Sequence, residues 1–456
     1  MKRTLIPIKK NEIHTVKING ITHDGLGVGR IYNFTVFVDG AIENEEVEIK
    51  IIKLYKSYGI GKLMKIITPS PDRVVPFCEV YKRCGGCGLQ HMSSEAGLRF
   101  KENLVRENLK RIGKLEDVEV YDIISMEEPF RYRNKAQYPV GMKKGEVQIG
   151  FYAKRSHDII EGQACGIQHK LADKVKTIVK KYIIENNVSV YDETTGKGLV
   201  RHVMTRVGFK TGEVMVVLVL NGENLPKKDV LIDALISEVP EIKSIVVNVN
   251  REKTNVILGN KNIVIYGKGS ITDYIGKYKF NISPNSFFQV NPVQTEVLYN
   301  KVLEYAGLTQ NEVVFDLYCG IGTISLFLSR KAKKVYGIEV VEEAIEDAKE
   351  NARINGIGNV EFILGEVEKV LPGMGIKADV VVVDPPRKGC DENLLETLVK
   401  MKPSRIVYVS CNPSTLARDL RYLSEGGFKV EKVQPVDMFP WTEHVETVVL
   451  MSRVDK

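Results

Sequence analysis

The sequence predicts a multidomain α/β chain: a small N-terminal β-barrel, a central α+β region and a C-terminal α/β domain on a parallel sheet. Three observations predict it. The chain has 456 residues, more than one ordinary domain of roughly 100–200. Up to residue 66 it holds only short β-branched runs with tight turns. From residue 276 short apolar strands alternate with helical segments, the pattern of a parallel sheet covered on both faces.

Composition sets the outer bounds. With 43% hydrophobic and 27% charged residues, the chain can build real cores and is not a disordered polymer. No apolar run approaches the roughly 18 residues of a membrane span; the longest obvious one, Val214 to Leu220, is strand-sized. Lys2, Arg3, Lys9 and Lys10 are followed by no apolar signal core. Seven cysteines, odd in number and unevenly placed, do not read as a secreted disulfide framework. A cytoplasmic protein with no membrane partner is the expectation. The net charge of +7 permits a polyanionic partner without demanding one.

The barrel rests on Thr15–Ile21, Phe34–Val38, Val47–Tyr55 and Gly59–Ile67, which are short and alternating. Between the first two lies His23 to Arg30, read as a glycine-rich turn. Such strands in this length suggest a closed barrel of the oligonucleotide-binding kind. The first 66 residues hold 11 Lys/Arg against 7 Asp/Glu. That excess favours nucleic acid over a β module with no ligand.

Pro69, Pro71 and Pro76 then break the chain, and residues 93–112 have a helical pattern. The middle region has strands at Val214–Leu220, Ser244–Val249 and Asn262–Tyr266 and an amphipathic helix at Lys170–Asn186. The last region has strands at Val313–Leu317, Lys334–Ile338, Asp379–Val383 and Arg405–Val409, with helices such as Val341–Asn355 and Glu392–Met401 between them.

Chemistry gathers on that last region. The strand at Val313 ends in Asp316-Leu317-Tyr318-Cys319-Gly320-Ile321-Gly322-Thr323. Glycines there let the backbone turn sharply and approach a ligand. The next strand ends in Glu339, 23 residues beyond Asp316, a spacing at which a carboxylate accepts ribose hydroxyls. The loop lacks G-x-G-x-x-G, so it is poorly equipped for a pyrophosphate. Asp384-Pro385-Pro386-Arg387 follows the fourth strand, a pattern that in many methyltransferases positions a flat base beside a methyl donor. S-adenosylmethionine is thus favoured over a dinucleotide.

Cys411, in Ser410-Cys411-Asn412-Pro413, stands at the carboxyl end of a buried strand. That end is where open α/β sheets bind ligands. A lone cysteine there is usually a small core residue, but this one shares its rim with Asp384 and the glycine loop. Carbon 5 of uracil is a poor nucleophile. A thiolate adding at carbon 6 makes the ring an enolate able to attack a methyl, and a base must then take the carbon 5 proton. Glu446, at the start of the strand Thr447–Met451, reads either as that base or as an ordinary strand-edge carboxylate.

Cys78-x5-Cys84-x2-Cys87, with Cys165 downstream, supplies four thiolates. Four cysteines hold a tetrahedral zinc or an iron–sulfur cluster. Spacing alone leaves both open, together with no metal.

The sequence resembles the bacterial SAM-dependent RNA (uracil-5-)-methyltransferases, in particular the branch that makes 5-methyluridine in 23S rRNA. The matching stretches are Phe280 to Asn291 (FNISPNSFFQVN), Asp316 to Thr323, Asp384 to Gly389 (DPPRKG), Ser410 to Pro413 (SCNP) and His444 to Glu446. Tyr132 to Val140 and Arg201 to Arg206 resemble the family's central domain, and the barrel resembles a TRAM domain. The resemblance implies that Gln289, Tyr318, Glu339 and Asp384 contact S-adenosylmethionine, Cys411 is the nucleophile and Glu446 the base. Thr323 and Glu366 are placed only by spacing. Cys319 and Cys390 are read as non-catalytic. Cys84 to His91 (CGGCGLQH) matches the family's cluster motif and implies a [4Fe–4S] cluster on Cys78, Cys84, Cys87 and Cys165.

The resemblance also implies discontinuous domains: a TRAM barrel at 1–66, a central domain with the cysteines at 67–92 and 125–275, and a Rossmann-like methyltransferase domain at 93–124 and 276–456. The expected function is methylation of carbon 5 of uridine in RNA by a monomer, with 23S rRNA favoured over tRNA. A cytosine-5 enzyme would carry a cysteine after the Asp-Pro-Pro, where Arg387 stands. An adenine N-methyltransferase needs no thiol. A non-catalytic RNA-binding Fe–S protein would leave Cys411 and Glu446 without a role.

Overall fold

The structure, a computed structural model, describes residues 7–454. Lys2 and Arg3, counted in the basic N-terminal stretch, lie outside the described residues. The chain divides into two compact units, Met1–Leu104 with Trp441–Glu443, and Val105–Pro440 with His444–Lys456.

In the first unit, β1 (Ile13–Ile21), β2 (Gly27–Ile31), β3 (Phe34–Asp39), β4 (Glu46–Leu54) and β5 (Tyr58–Thr68) close a barrel in the order β1-β2-β3-β5-β4. Val16, Ile18, Val36, Val38, Val47, Ile49 and Ile51 fill it. The segment 23–30, read from sequence as a turn, is corrected in part: Gly27 to Arg30 belong to β2. These glycines serve close packing. A Cβ on Gly27 would lie 2.7 Å from the Ala41 carbonyl oxygen, and one on Gly29 2.2 Å from a Val16 methyl.

The cysteine-bearing loop that follows is fastened to the barrel. Glu45 is fully buried and accepts from the Ile42 N–H at 3.0 Å and from Arg73 Nη2 at 2.7 Å. Burial alone would raise its pKa. The Arg73 guanidinium and the N–H donors outweigh burial and hold it below the ordinary carboxylate value. Helix α1 (Ser94–Arg111) begins here, with Ser93 Oγ accepting the Ala96 N–H at 3.2 Å.

The second unit takes up α1 from Val105 and continues with β6 (Lys135–Lys143), β7 (Glu146–Ile149), the two-residue strands β8 (Phe151–Tyr152) and β9 (Ile159–Ile160), and helix α2 (Lys170–Glu185). Then come β10 (Val200–Val207), β11 (Val214–Leu220), α3 (Lys228–Glu238), β12 (Ile242–Val249) and β13 (Lys261–Gly267). Six of these strands form a sheet in the order β13-β12-β11-β10-β6-β7. Every residue of β10 and β11 is buried; β11 is accordingly an unbroken apolar run, whereas β10 also buries Arg201, His202, Thr205 and Arg206.

A hairpin, β14 (Ile271–Ile275) and β15 (Tyr278–Ile282), and helix α4 (Pro292–Ala306) lead into the third sheet. It is built from β16 (Val313–Leu317), α5 (Thr323–Ser329), β17 (Lys334–Glu339), α6 (Glu342–Ile354), β18 (Val360–Leu364) and the single turn α7 (Val367–Val370). It continues through β19 (Val380–Val383), α8 (Glu392–Met401), β20 (Arg405–Ser410), α9 (Pro413–Glu425), β21 (Phe428–Val436) and β22 (Glu446–Arg453). Strand order is β18-β17-β16-β19-β20-β22-β21. The five from β18 to β20 run parallel, and β22 is antiparallel to both its neighbours. The parallel sheet read from the sequence is thus present from β18 to β20 and is extended on one side by the antiparallel β22 and then β21. Val120 and Ile124 bridge to β21 at that edge. The order reverses between β16 and β19, so a crevice opens above their carboxyl ends. No helix among the described residues is long and apolar enough to cross a membrane.

Candidate active site

A cavity of about 1000 Å³ lies at that reversal, within the second unit. It is at the upper end of the range for small-molecule sites. Gln289, Tyr318, Glu339, Asp384, Cys411 and Glu446 all line it, as do Thr323 and Glu366. Residues that pattern reading did not single out also face it: Arg133, Phe287, Tyr299, Phe439 and His444. Arg133, Phe287 and His444 lay inside quoted motifs without an assigned role. Tyr299 and Phe439 carried no local signal, since an aromatic on a helix or loop reads as core.

The floor is made by the turn after β16. Tyr318 has φ 65° and Gly320 and Gly322 have φ 54° and 80°. A Cβ on Gly322 would come within 2.7 Å of the Phe362 ring, so glycine is needed there for both angle and space. The turn is tied to β17 through Glu339. One carboxylate oxygen accepts the Gly320 N–H at 3.1 Å; the other accepts the N–H groups of Val340 and Val341 at 2.8 and 3.0 Å. Its remaining lone pairs are free to take hydroxyls. Tyr318 Oη donates to Glu368 at 2.6 Å, and Tyr299 and Thr323 share a hydrogen bond of 2.9 Å. Behind the turn Asp316 is fully buried. One of its oxygens accepts from Ser325 and the other has no hydrogen-bond partner among the described residues.

The opposite wall is a clamp. Asn412 caps α9, accepting the Ser414 N–H at 3.0 Å, and its amide donates to the Arg387 carbonyl at 3.0 Å. Thr415 Oγ1 donates to the same carbonyl at 3.2 Å. Arg418 Nη2 donates to the carbonyls of Lys388 and Cys390, at 3.0 and 3.2 Å. Asp419 accepts the Cys390 N–H at 2.8 Å and the Tyr408 hydroxyl at 2.6 Å. The loop that carries Asp384 and Arg387 is thus fixed against the turn that carries Cys411.

Burial dominates the electrostatics. It pushes Asp384 up to about 7, and Asp316 likewise to about 7. Burial, reinforced by the Asp384 charge and opposed by Arg387, raises Glu446 well above the carboxylate range. Burial and then the Glu446 charge raise the Cys411 thiol to about 11, while Arg387 pulls it down by charge and hydrogen bonding. The result is a pocket with crowded carboxyls and a stored, neutral thiol. A cationic ligand relieves that crowding. The carboxylate on β17, the glycine turn and the buried acids therefore fit a ribose-bearing sulfonium compound.

Cys319 and Cys390 are buried and their thiols are raised by burial. Cys390 sits outside the cavity, against Tyr408 at 3.5 Å. Cys78, Cys84 and Cys87 lie on the loop of the first unit, half-buried, and the Gly86 N–H donates to Cys84 Sγ at 3.4 Å. Cys165 lies in the second unit, where its N–H donates to Asp173. Among the described residues no three His, Cys, Asp or Glu side chains converge as a metal-holding group. The donor set, soft thiols with a backbone N–H turned to one sulfur, suits an iron–sulfur cluster.

Comparison with known proteins agrees with this geometry. Residues 237–454 match the tRNA (Uracil-5-)-methyltransferase family and residues 8–64 match the TRAM domain. A Clostridium tetani protein named as an uncharacterized RNA methyltransferase is 58% identical, over 98% of this chain and 98% of its own length. A Clostridium acetobutylicum protein of the same description is 55% identical over 99% of each. Among solved structures, the Pyrococcus abyssi tRNA (uracil-54, C5)-methyltransferase in complex with S-adenosyl-L-homocysteine is 30% identical. It covers 96% of this chain and 100% of that one with a TM-score of 0.78. The chain belongs to the SAM-dependent RNA (uracil-5-)-methyltransferase family and carries an N-terminal TRAM domain.

Proposed function

We propose that this chain methylates carbon 5 of a uridine in 23S rRNA through a covalent adduct with Cys411. The observation that carries the reading is a single cavity lined by a thiol, a buried carboxyl and an arginine on neighbouring strand ends. S-adenosylmethionine, when bound, supplies an electrophilic methyl group; Gln289, Tyr318, Glu339 and Asp384 would hold it, with Thr323 and Glu366 beside them.

The chain's own residues do the rest. Ionised Cys411 adds to carbon 6, and the ring π electrons move onto the carbon 4 oxygen. Carbon 5 then takes the methyl. Glu446 removes the proton left on carbon 5, the S–C6 bond breaks and the thiolate returns. Arg387 favours the ionised thiol. A uracil stacked in a helix cannot reach Cys411, so the target is extruded or drawn from a loop.

Cys411→Ala tests the chemistry. It should bind S-adenosylmethionine and RNA but neither methylate nor form an adduct with 5-fluorouridine RNA, which should trap the wild type. Normal methylation by this variant would overturn the assignment.

The rRNA target rests on the likeness of the barrel and cysteine loop to the rRNA branch. A tRNA target is favoured by one observation: an enzyme named for tRNA uracil-54 matches 96% of this chain, so the barrel alone does not discriminate. Mapping 5-methyluridine in rRNA and tRNA from a strain lacking the gene separates them. A protein that fails to bind S-adenosylmethionine would favour a non-catalytic RNA-binding role.

The ligand set Cys78, Cys84, Cys87 and Cys165 is proposed to carry a [4Fe–4S] cluster, on donor chemistry and motif. Such a cluster supplies a rigid anionic staple, and no step above passes through it. Anaerobic protein should hold about four irons and four labile sulfides, lost on replacing any of the four with serine and kept in Cys319→Ser and Cys390→Ser. A colourless protein with one zinc would overturn the cluster. The domain boundaries 1–66, 67–92 with 125–275, and 93–124 with 276–456 are proposed on the same likeness.

A further inference from the structure

One end of the barrel carries aromatic rings and cations and almost no acid. Strands β3 and β5 run parallel with Thr35 opposite Tyr58, so the β2–β3 and β4–β5 turns lie at the same end. Tyr55 and Tyr58 stack at 4.5 Å with planes 25° apart, and Phe37 packs on Tyr58 at 5.2 Å. Lys53 Nζ stands 4.9 Å from the centre of the Tyr55 ring. Tyr32 projects from the β2–β3 turn with 77% of its surface exposed, and Tyr55 keeps 38%.

Tyr32 is placed against local preference. It has φ 49° and Asn33 φ 64°, the paired left-handed angles of a tight hairpin turn that favours Asn-Gly. A bulky ring in that region is an outlier, and such positions concentrate at functional surfaces. Charge points the same way. Residues 30–37 and 49–60 contain Arg30, Lys50, Lys53 and Lys56 and no Asp or Glu. The nearest carboxylate on β1's side, Glu12, is engaged by the Lys9 N–H at 2.8 Å and by His14 at 3.1 Å. Asp39, Glu46 and Glu48 stand toward the far ends of their strand pairs.

We propose that this end of the barrel is a stacking platform for unpaired RNA nucleotides, with Tyr32, Tyr55 and Tyr58 taking base faces and Arg30, Lys53 and Lys56 taking phosphates. It rests on the RNA-substrate reading and adds the form of RNA recognised. Rings with neighbouring cations bind single strands because every free base offers a π-face, which a duplex hides.

The test uses the full chain and fluorescence anisotropy with a short oligouridine and a duplex RNA of equal length. Tyr32→Ala and Tyr55→Ala should each weaken single-strand binding roughly 5- to 150-fold and leave duplex binding unchanged. Tyr55→Phe should bind like wild type, since stacking needs the ring and not the hydroxyl. Lys56→Gln should lower the log–log salt slope by about 0.7, whereas the tyrosine variants should keep it. Each variant's melting temperature and S-adenosylhomocysteine affinity report folding separately. Well-folded Tyr32→Ala and Tyr55→Ala proteins with wild-type affinity, or equal losses on single strand and duplex, would overturn the platform. Failure of the catalytic reading would look different: wild type would bind oligouridine through these rings yet form no adduct with 5-fluorouridine RNA.

Discussion

Two regions of this molecule bury carboxyl groups and treat them in opposite ways. In the barrel unit Glu45 is sealed from solvent but met by Arg73 and backbone N–H donors, so it stays ionised. At the cavity of the α/β sheet Asp384 and Glu446, with Asp316 behind its floor, are buried; Arg387 only partly opposes the rise at Glu446, and all three pKa values go up. A buried acid that is fully partnered fastens a loop. Acids left short of a partner mark a place prepared for a ligand and a reaction. The same environment, read by its partners, separates scaffold from chemistry.

The largest test of that contrast is Glu446→Gln. Loss of the base should cut turnover roughly 10²- to 10⁴-fold and let a methylated RNA–protein adduct accumulate on ordinary uridine RNA. Its melting temperature should hold or rise, because a raised carboxyl has been removed. Rapid turnover without a trapped species would move the base elsewhere. On the barrel side, Arg73→Ala strands Glu45 and should lower stability by about 3 kcal/mol, read by denaturant unfolding. A variant as stable as wild type would make the pair ornamental.

A subtler effect concerns ligand charge. With Asp384 near 7, its ionised fraction grows from pH 6 to 8. Calorimetry should show cationic S-adenosylmethionine gaining about tenfold over neutral S-adenosylhomocysteine across that interval. A ratio independent of pH would mean that the acid does not sense the sulfonium.

The smallest effect is in the pH dependence of stability. Glu45 is lowered in the folded state, so its contribution is full above the ordinary glutamate pKa and fades as pH falls through the folded value. Asp316 is raised to about 7. The folded chain then holds a proton that the unfolded chain releases, and stability declines as pH rises from the ordinary aspartate value toward 7. Asp316→Asn should flatten that decline in melts at pH 5 and pH 8; an unaltered slope would assign it to other groups.

The parallel strands were legible because burial on both faces writes them as apolar runs: Val313–Leu317 and Arg405–Val409 in sequence are β16 and all but the last residue of β20 in the fold. Strand β18, with only Phe362 buried among its five residues, wrote no such run. Strand β2 was hidden because glycine is punctuation in sequence but here makes room for Ala41 and Val16. The strand-end residues of the site were readable from motifs. Tyr299 and the α9 clamp were not, since their roles arise from contacts across dozens of residues, such as Arg418 with Lys388.

The clamp and the buried carboxyls together give Cys411 a chemical temperament. A thiol raised to about 11 is almost wholly protonated at neutral pH. Oxidants and stray electrophiles attack thiolates, so between turnovers the nucleophile is nearly invisible to them. Arg387 is the group that opposes this shelter, and the loop that holds it beside the thiol is pinned by α9. The enzyme carries its reactive sulfur much as a workshop keeps a blade, sheathed by its surroundings until the right charge enters the pocket.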